Sequence, residues 1–302
     1  MKCVLAIFAA LSMVCAQEGL PPTSIGNPVP PELQGIDWVC PMDKDVHSPV
    51  PGFCPRCGMK LVPWIPEPDE YPVVLTTSPR VLKAGEDIQL DFKVEEPHTH
   101  KPVRDFQIVH DRLFHLFIAS QDTTVFVHEH PEFLEDGSFR YHARFPKPGA
   151  YRIVCDFYPK GGTPQFILKT LMVPGAGFKL ATAQLEPNLA PQHSENLDVE
   201  LVTEPAQPVA GLRTLMFFRL KPDDGIEQYL SAWAHMLAAS SDLIDMIHDH
   251  PVLVSDPENG AYKQIQFTIV FPREGVYRLW VQFQRKGVVN TVAFNVPVIQ
   301  LK

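Results

Sequence analysis

Six histidines fall into two sets with one spacing. His115 is followed by His128 thirteen residues on and by His130 two further, and His235, His248 and His250 repeat both intervals. Each set closes with a proline, Pro131 or Pro251. Imidazole is a preferred ligand for copper and zinc, and three convergent rings leave a fourth position open. A single buried histidine is commonly just hydrogen-bonded into a core, since an unpaired imidazole is costly to bury. Three at matching positions in two copies stand evenly between that reading and a metal or other small-ligand site. A second donor set lies upstream, where Cys54-Pro-Arg-Cys57-Gly reads as a knuckle that turns two thiolates toward one ion. Cys40-Pro-Met opens a similar turn with one cysteine. Three thiolates with the thioether of Met42 or Met59 make a soft set that favours Cu(I) or a related ion. A Cys54–Cys57 disulfide with Cys40 left over is the alternative in an oxidising compartment.

The elements that must hold the histidines are β-hairpins. In both copies apolar and β-branched runs flank a polar tetrad, Ser120 to Thr123 and Ser240 to Leu243. A two-residue loop at Gln121-Asp122 sets His115 opposite His128, with His130 one step along the same face. The second copy, turning at Ser241-Asp242, does the same with His235, His248 and His250. That face also carries Trp233, Leu237, Ile244 and Met246, so it is expected to look into the core of its own domain.

The repeat extends downstream, Phe145-Pro-Lys-Pro-Gly-Ala-Tyr-Arg matching Phe271-Pro-Arg-Glu-Gly-Val-Tyr-Arg, which implies two copies of one domain. Each copy offers roughly seven short alternating runs separated by turns. The fold class expected is therefore all-β, with two tandem immunoglobulin-like β-sandwich domains at 73–176 and 177–302, preceded by a small metal-knuckle module at 36–63. Within AYRIVCDFY, Cys155 shares a face with Tyr151, Ile153 and Phe157, and Val281 replaces it in the second copy. It is expected to be a small buried apolar residue. Proline-rich linkers occupy 17–35 and 64–72. Residues 1–16, MKCVLAIFAALSMVCA, have the basic start, apolar run and small-residue end of a secretory signal peptide. No other run approaches the length of a membrane helix. The expected location is extracytoplasmic, periplasmic or secreted. A net charge of -9 argues against nucleic acid or an anionic membrane as partner.

Residues 36–63 resemble the small heavy-metal-binding domain attached to copper-exporting ATPases and to periplasmic adaptors of metal-efflux pumps. The resemblance is carried by Cys40-Pro-Met and Cys54-Pro-Arg-Cys57-Gly-Met. It implies a bound heavy metal. The family usually has His after Cys-Pro-Met, where this chain has Asp43, and His47 sits at another offset, so the fourth ligand stays open. Most of the mature chain also resembles secreted bacterial proteins that pair this module with His-x-His-Pro sandwiches.

An enzyme is not expected. His128-x-His130 followed by Glu135 imitates a cupin signature, but the second copy lacks the Glu, and no metalloprotease helix, nucleophile elbow or phosphate loop occurs. The reading is an extracytoplasmic protein that captures, buffers or delivers a heavy metal, copper or zinc with copper foremost, and whose candidate protein partner is a metal-export or metal-delivery protein. The alternative is a secreted adhesion or scaffold protein whose metal module is structural.

Overall fold

The computed structural model describes residues 37–43, 46–64, 69–178, 180–255 and 263–301. The expected leader at 1–16 and the expected linker at 17–35 lie outside the described residues, as do positions 65–68 of the second expected linker. The chain divides into two compact units, 1–67 and 68–302.

In the first unit, β1 (Asp37–Val39), β2 (His47–Ser48) and β3 (Val62–Trp64) form a three-stranded antiparallel sheet in the order β2-β1-β3. It is too small for a core of ordinary size. Trp38, Cys40, Cys54 and Leu61 form a buried cluster among its described residues, with Val46 and Met59 packed against them. Two of those four are cysteines, so a bound ion would complete what apolar burial alone leaves thin.

The second unit holds both sandwiches. The first comprises β4 (Val73–Ser78), β5 (Asp87–Val94), β6 (Phe114–Ser120), β7 (Phe126–Glu129), β8 (Glu132–Phe133), β9 (Phe139–Arg144), β10 (Gly149–Phe157) and β11 (Gln165–Val173). Its sheets run β4-β5-β9-β8 and β11-β10-β6-β7. In immunoglobulin lettering these are A-B-E-D opposite G-F-C-C′. The second comprises β12 (Gln192–Ser194), β13 (Leu197–Glu204), β14 (Arg213–Lys221), β15 (Ile226–Glu227), β16 (His235–Ser240), β17 (Met246–Asp249), β18 (Leu253–Ser255), β19 (Gln264–Val270), β20 (Gly275–Arg285) and β21 (Val288–Val298). It repeats the order, β13-β14-β19-β18 facing β21-β20-β16-β17, with β12 and β15 added at the edges. The fold is all-β, two immunoglobulin-like sandwiches behind a small cysteine module.

Strand alternation explains each core. In β5, Ile88, Leu90, Phe92 and Val94 are buried while the residues between them are not. They meet Phe114, Leu116 and Ile118 of β6 and Tyr151, Ile153, Cys155 and Phe157 of β10. Cys155 is thus a core residue, and burial raises its thiol above the ordinary range. The second sandwich packs Met216, Phe218, Met236, Ala238, Leu279 and Val281 in the same way.

A third cluster belongs to neither core. Phe117, Ala119 and Val154 of the first sandwich pack on Leu237, Ala239, Leu243, Met246 and Trp280 of the second. Phe126 stacks on Trp280, ring centroids 4.9 Å apart and planes 8° from parallel. The Arg152 Nε–H donates to the Leu243 carbonyl at 2.9 Å. The two C-C′-F-G sheets therefore lie face to face. Every residue of β6 and of β16 is buried, because both faces of each strand are covered.

Candidate metal centre

The hairpins that carry the histidines close differently from the sequence expectation. Phe117 pairs with His128, and Leu237 with His248, so each loop has four residues, Gln121 to Thr124 and Ser241 to Ile244. The polar tetrad supplies the reason. Ser120 Oγ accepts the Val125 N–H at 2.9 Å and donates to Asp122 at 2.7 Å, and Thr123 turns the chain at φ 61°. Ser240, Asp242 and Leu243 do the same in the second copy. The register moves by two residues, which leaves every side chain on its expected face. His115 now stands across from His130, and the three rings still converge.

The face itself is corrected. His115, Phe117 and Ala119 look toward the other sandwich, and the intervening residues Phe114, Leu116 and Ile118 fill the domain's own core. In the second copy Leu237 and Met246 lie in the shared cluster, Trp233 packs against its own core, and Ile244 is exposed. An all-buried strand carries no alternation to say which face meets which neighbour.

In the first triad His115 Nδ1 lies 3.3 Å from His128 Nε2 and 3.2 Å from His130 Nε2. Tautomers follow from the outer partners. His115 Nε2 is 3.0 Å from the Val109 carbonyl, which can only accept, so that nitrogen carries the hydrogen. His128 Nδ1 is 2.7 Å from Gln282 Oε1, and the Gln282 amide N–H donates on to Thr291. His115 Nδ1 and His128 Nε2 are then two lone pairs facing each other at 3.3 Å with no proton between them. A cation relieves that opposition, as does a hydrogen on His130 Nε2 donated to His115 Nδ1. Two imidazole nitrogens held about 2.0–2.1 Å from one ion at tetrahedral angles stand about 3.3 Å apart. The spacing in this triad fits.

The second triad repeats the plan. His235 Nε2 meets the Tyr229 carbonyl at 2.8 Å and its Nδ1 meets His250 Nε2 at 3.0 Å. His248 Nδ1 donates to Asp156 Oδ2 at 2.6 Å, leaving Nε2 buried without a hydrogen-bond partner. Both carbonyls come from matching tight turns, Val109 to Arg112 and Tyr229 to Ala232, each with two residues at positive φ.

Burial keeps these rings neutral, as metal ligands must be. Desolvation holds His130 at about 3 and His235 at about 4, and pushes His115, His128, His248 and His250 downward as well. The same burial raises Asp156 to about 6, so at neutral pH it remains the anionic acceptor for His248.

Asp156, Gln282 and His110 were not among the expected site residues. The first two lie on F strands at matching positions, facing the opposite triad. His110 has no counterpart in the second copy, where Leu230 stands, yet its ring stacks on His250 at 3.8 Å. His98, His142 and His193 pair with surface carboxylates instead.

In the cysteine module Cys40, Asp43, Cys54 and Cys57 each bring a donor atom within 4.8 Å of the others. The Cys40 and Cys57 sulfurs are 3.4 Å apart, and Cys54 Sγ lies 3.4 Å from Asp43 Oδ2. The Asp43 amide points at Cys40 Sγ at 3.2 Å, and the Arg56 and Cys57 amides point at Cys54 Sγ at 3.4 and 3.5 Å. Desolvation works to raise Cys40, but the Asp43 and Met42 amides together with hydrogen bonds from Cys57 and Cys54 outweigh it and bring it below the ordinary thiol value. Cys57 is pushed up to about 12, the lowering effect of the Met59 amide being overcome by desolvation and by Cys40, Cys54 and Asp43 beside it. All three cysteines are free thiols. Asp43 thus stands where the family has His and reaches the cluster, while Met42 is 69% exposed and Met59 packs on the module's apolar residues. The donors fit a soft ion held by three sulfurs and one oxygen.

The family model for a heavy metal binding domain matches residues 38–63. A model described as Domain of unknown function (DUF8832) matches residues 66–173 and again 183–300. No curated protein matches the chain. Among solved structures, the adhesin FdeC of Escherichia coli is similar at 14% identity and a TM-score of 0.25, covering 79% of this chain and 67% of its own. The adhesin InvE of Yersinia pseudotuberculosis is similar at 12% and 0.23, covering 76% of this chain and 60% of its own. A carbohydrate-binding module of the β-sandwich superfamily is similar at 12% and 0.22, covering 76% of this chain and 100% of its own. Among the described residues no helix is long and apolar enough to cross a membrane.

Proposed function

We propose, for a chain that belongs to the DUF8832 family and carries a heavy metal binding domain ahead of it, that it captures and buffers a soft heavy metal, copper foremost, outside the cytoplasm and without catalysing a reaction. The observation that carries this reading is the convergence of Cys40, Cys54, Cys57 and Asp43 within 4.8 Å, in a segment that matches a heavy metal binding domain. Free thiols with backbone amides aimed at their sulfurs are suited to becoming thiolates when an ion enters. The two histidine triads serve as further sites for copper or zinc, since the outer N–H groups of His115, His128, His235 and His248 are tied to fixed acceptors and their other ring nitrogens face inward. Export rests on the signal-peptide pattern of residues 1–16. Delivery to a metal-export or metal-delivery protein is the use such a store would have.

The test is an anaerobic Cu(I) titration of the full chain against the Cys54→Ser/Cys57→Ser variant. The wild type should build a thiolate-to-copper absorption band that saturates near one ion per module. The double variant should lose it. An identical band in both would remove the cysteine module from the account.

A further inference from the structure

The inner rings of the two triads are as close to each other as they are within their own triad. Across the interface, ring centroids lie 5.4 Å apart for His128 and His235, and 5.7 Å apart for His115 and His248. Within the triads, His115 and His128 are 5.6 Å apart, and His235 and His248 are 6.2 Å apart. Four inner rings thus form one group, with His130 and His250 at its two sides.

Each triad is also completed by the other sandwich. Gln282 of the second sandwich orients His128 of the first, and Asp156 of the first orients His248 of the second. The Ser231 hydroxyl donates to Asp111 at 2.7 Å beside the two tight turns, tying together the loops whose carbonyls hold His115 and His235. Packing of the shared apolar cluster is what brings these groups into reach.

We propose that the triads are two halves of one paired-metal centre, in which two copper or zinc ions sit side by side across the sandwich interface. The proposal rests on the reading that the triads hold metal, and adds that neither half is complete in a separated sandwich. Among the described residues the two groups offer the ions imidazole nitrogen, a donor set that suits copper and zinc and not the oxygen-loving metals. The orphaned His248 Nε2 is the clearest mark of a missing partner, since a buried ring nitrogen without a hydrogen bond is costly.

The halves are unequal. The second triad has a carboxylate behind His248, whereas the first has only the neutral Gln282 amide behind His128. An anionic outer partner makes an imidazole a stronger donor, so the second half should fill first. A pocket of about 280 Å³, lined by Val109, Arg112, His115, Asp156 and Pro164 among others, borders the centre at His115.

The experiment is a Cu(II) titration of the full chain carrying Cys40→Ser, Cys54→Ser and Cys57→Ser, read by metal analysis and electron paramagnetic resonance. About two copper ions should bind per chain. The first should give an ordinary isolated-copper spectrum, and the second should weaken or broaden it and bring in a half-field transition, because two spins this close interact. His128→Gln and His248→Gln should each remove one ion and restore the isolated spectrum, a gain that a packing role would not produce. Two bound ions with the spectrum of independent sites, or only one bound ion, would overturn the pairing and leave metal binding by the histidines standing. No histidine-bound copper at all would overturn both.

Discussion

His248 Nδ1 and Asp156 Oδ2 are 2.6 Å apart although the residues belong to different sandwiches and are separated by 92 positions. Its counterpart joins His128 to Gln282 across the same interface at 2.7 Å. These two bonds decide which nitrogen of each ring faces inward, so they make the first prediction. Asp156→Ala should leave the buried His248 N–H unpaired, costing about 1–3 kcal/mol of stability. It should also weaken metal at the second triad by roughly 10–100-fold. Asp156→Asn should keep the hydrogen bond and recover most of the stability but not all of the affinity. Thermal melts with and without Zn(II) separate the two. If Asn and Ala behave alike in both measurements, the carboxylate is not orienting the ring.

Leu237 is fully buried and belongs to the cluster the sandwiches share. Leu237→Ala should cost about 2–5 kcal/mol, the range for a large-to-small change at a closed site. Because the loss falls on the interface, β-sheet circular dichroism should survive at temperatures where histidine-bound metal is already released. Simultaneous loss of both signals would show that the sandwiches do not separate before they unfold.

Much of this arrangement was legible in the residues. The interval from His115 to His128 to His130, met again from His235, was enough to pair the hairpins and converge the rings. A two-residue error in the loop did no harm, because strand side chains repeat every second position. What the sequence concealed was the direction of the histidine face. β6 reads Phe-His-Leu-Phe-Ile-Ala-Ser, apolar on both sides, and such a strand looks the same whether one or two layers cover it. Asp156 and Gln282 were hidden for another reason. They reach the centre from strands that only the packed interface brings near, and no local spacing announces such a partner. Asp43 was visible as a departure from the resembling family, but its contact with the thiols needed the turn geometry.

That contact makes a prediction of its own. Asp43→Ala should weaken soft-metal binding at the cysteine module by roughly 10–100-fold, whether the carboxylate ligates or positions the sulfurs. Met42→Ala, at a side chain 69% exposed, should change it little. Competition with a chromophoric Cu(I) chelator measures both. The reverse ranking would return the fourth-ligand role to the thioether.

Asp122 closes the first hairpin and supplies a pH test. Burial works to raise its carboxyl, but Lys147, the Ser120 and Thr124 hydroxyls and the Thr124 N–H overcome that and hold it at about 2. A carboxylate whose folded value is depressed stabilises the fold above its unfolded value of about 3.9. That stabilisation is lost as pH falls through the window from about 3.9 to 2. Asp122→Asn should therefore lower the melting temperature at pH 7, and its gap from wild type should close as the pH falls from about 4 toward 2. A gap that stays constant over that range would mean the charge contributes nothing.

Metal held at the cysteine module and between the sandwiches is located most directly by anomalous scattering from crystals grown with copper. Data collected above and below the copper absorption edge should place one peak among Cys40, Cys54, Cys57 and Asp43. Two adjacent peaks should lie among the six histidines, one per triad. An anomalous map without density at either donor set, from crystals in which copper is present, would contradict the account.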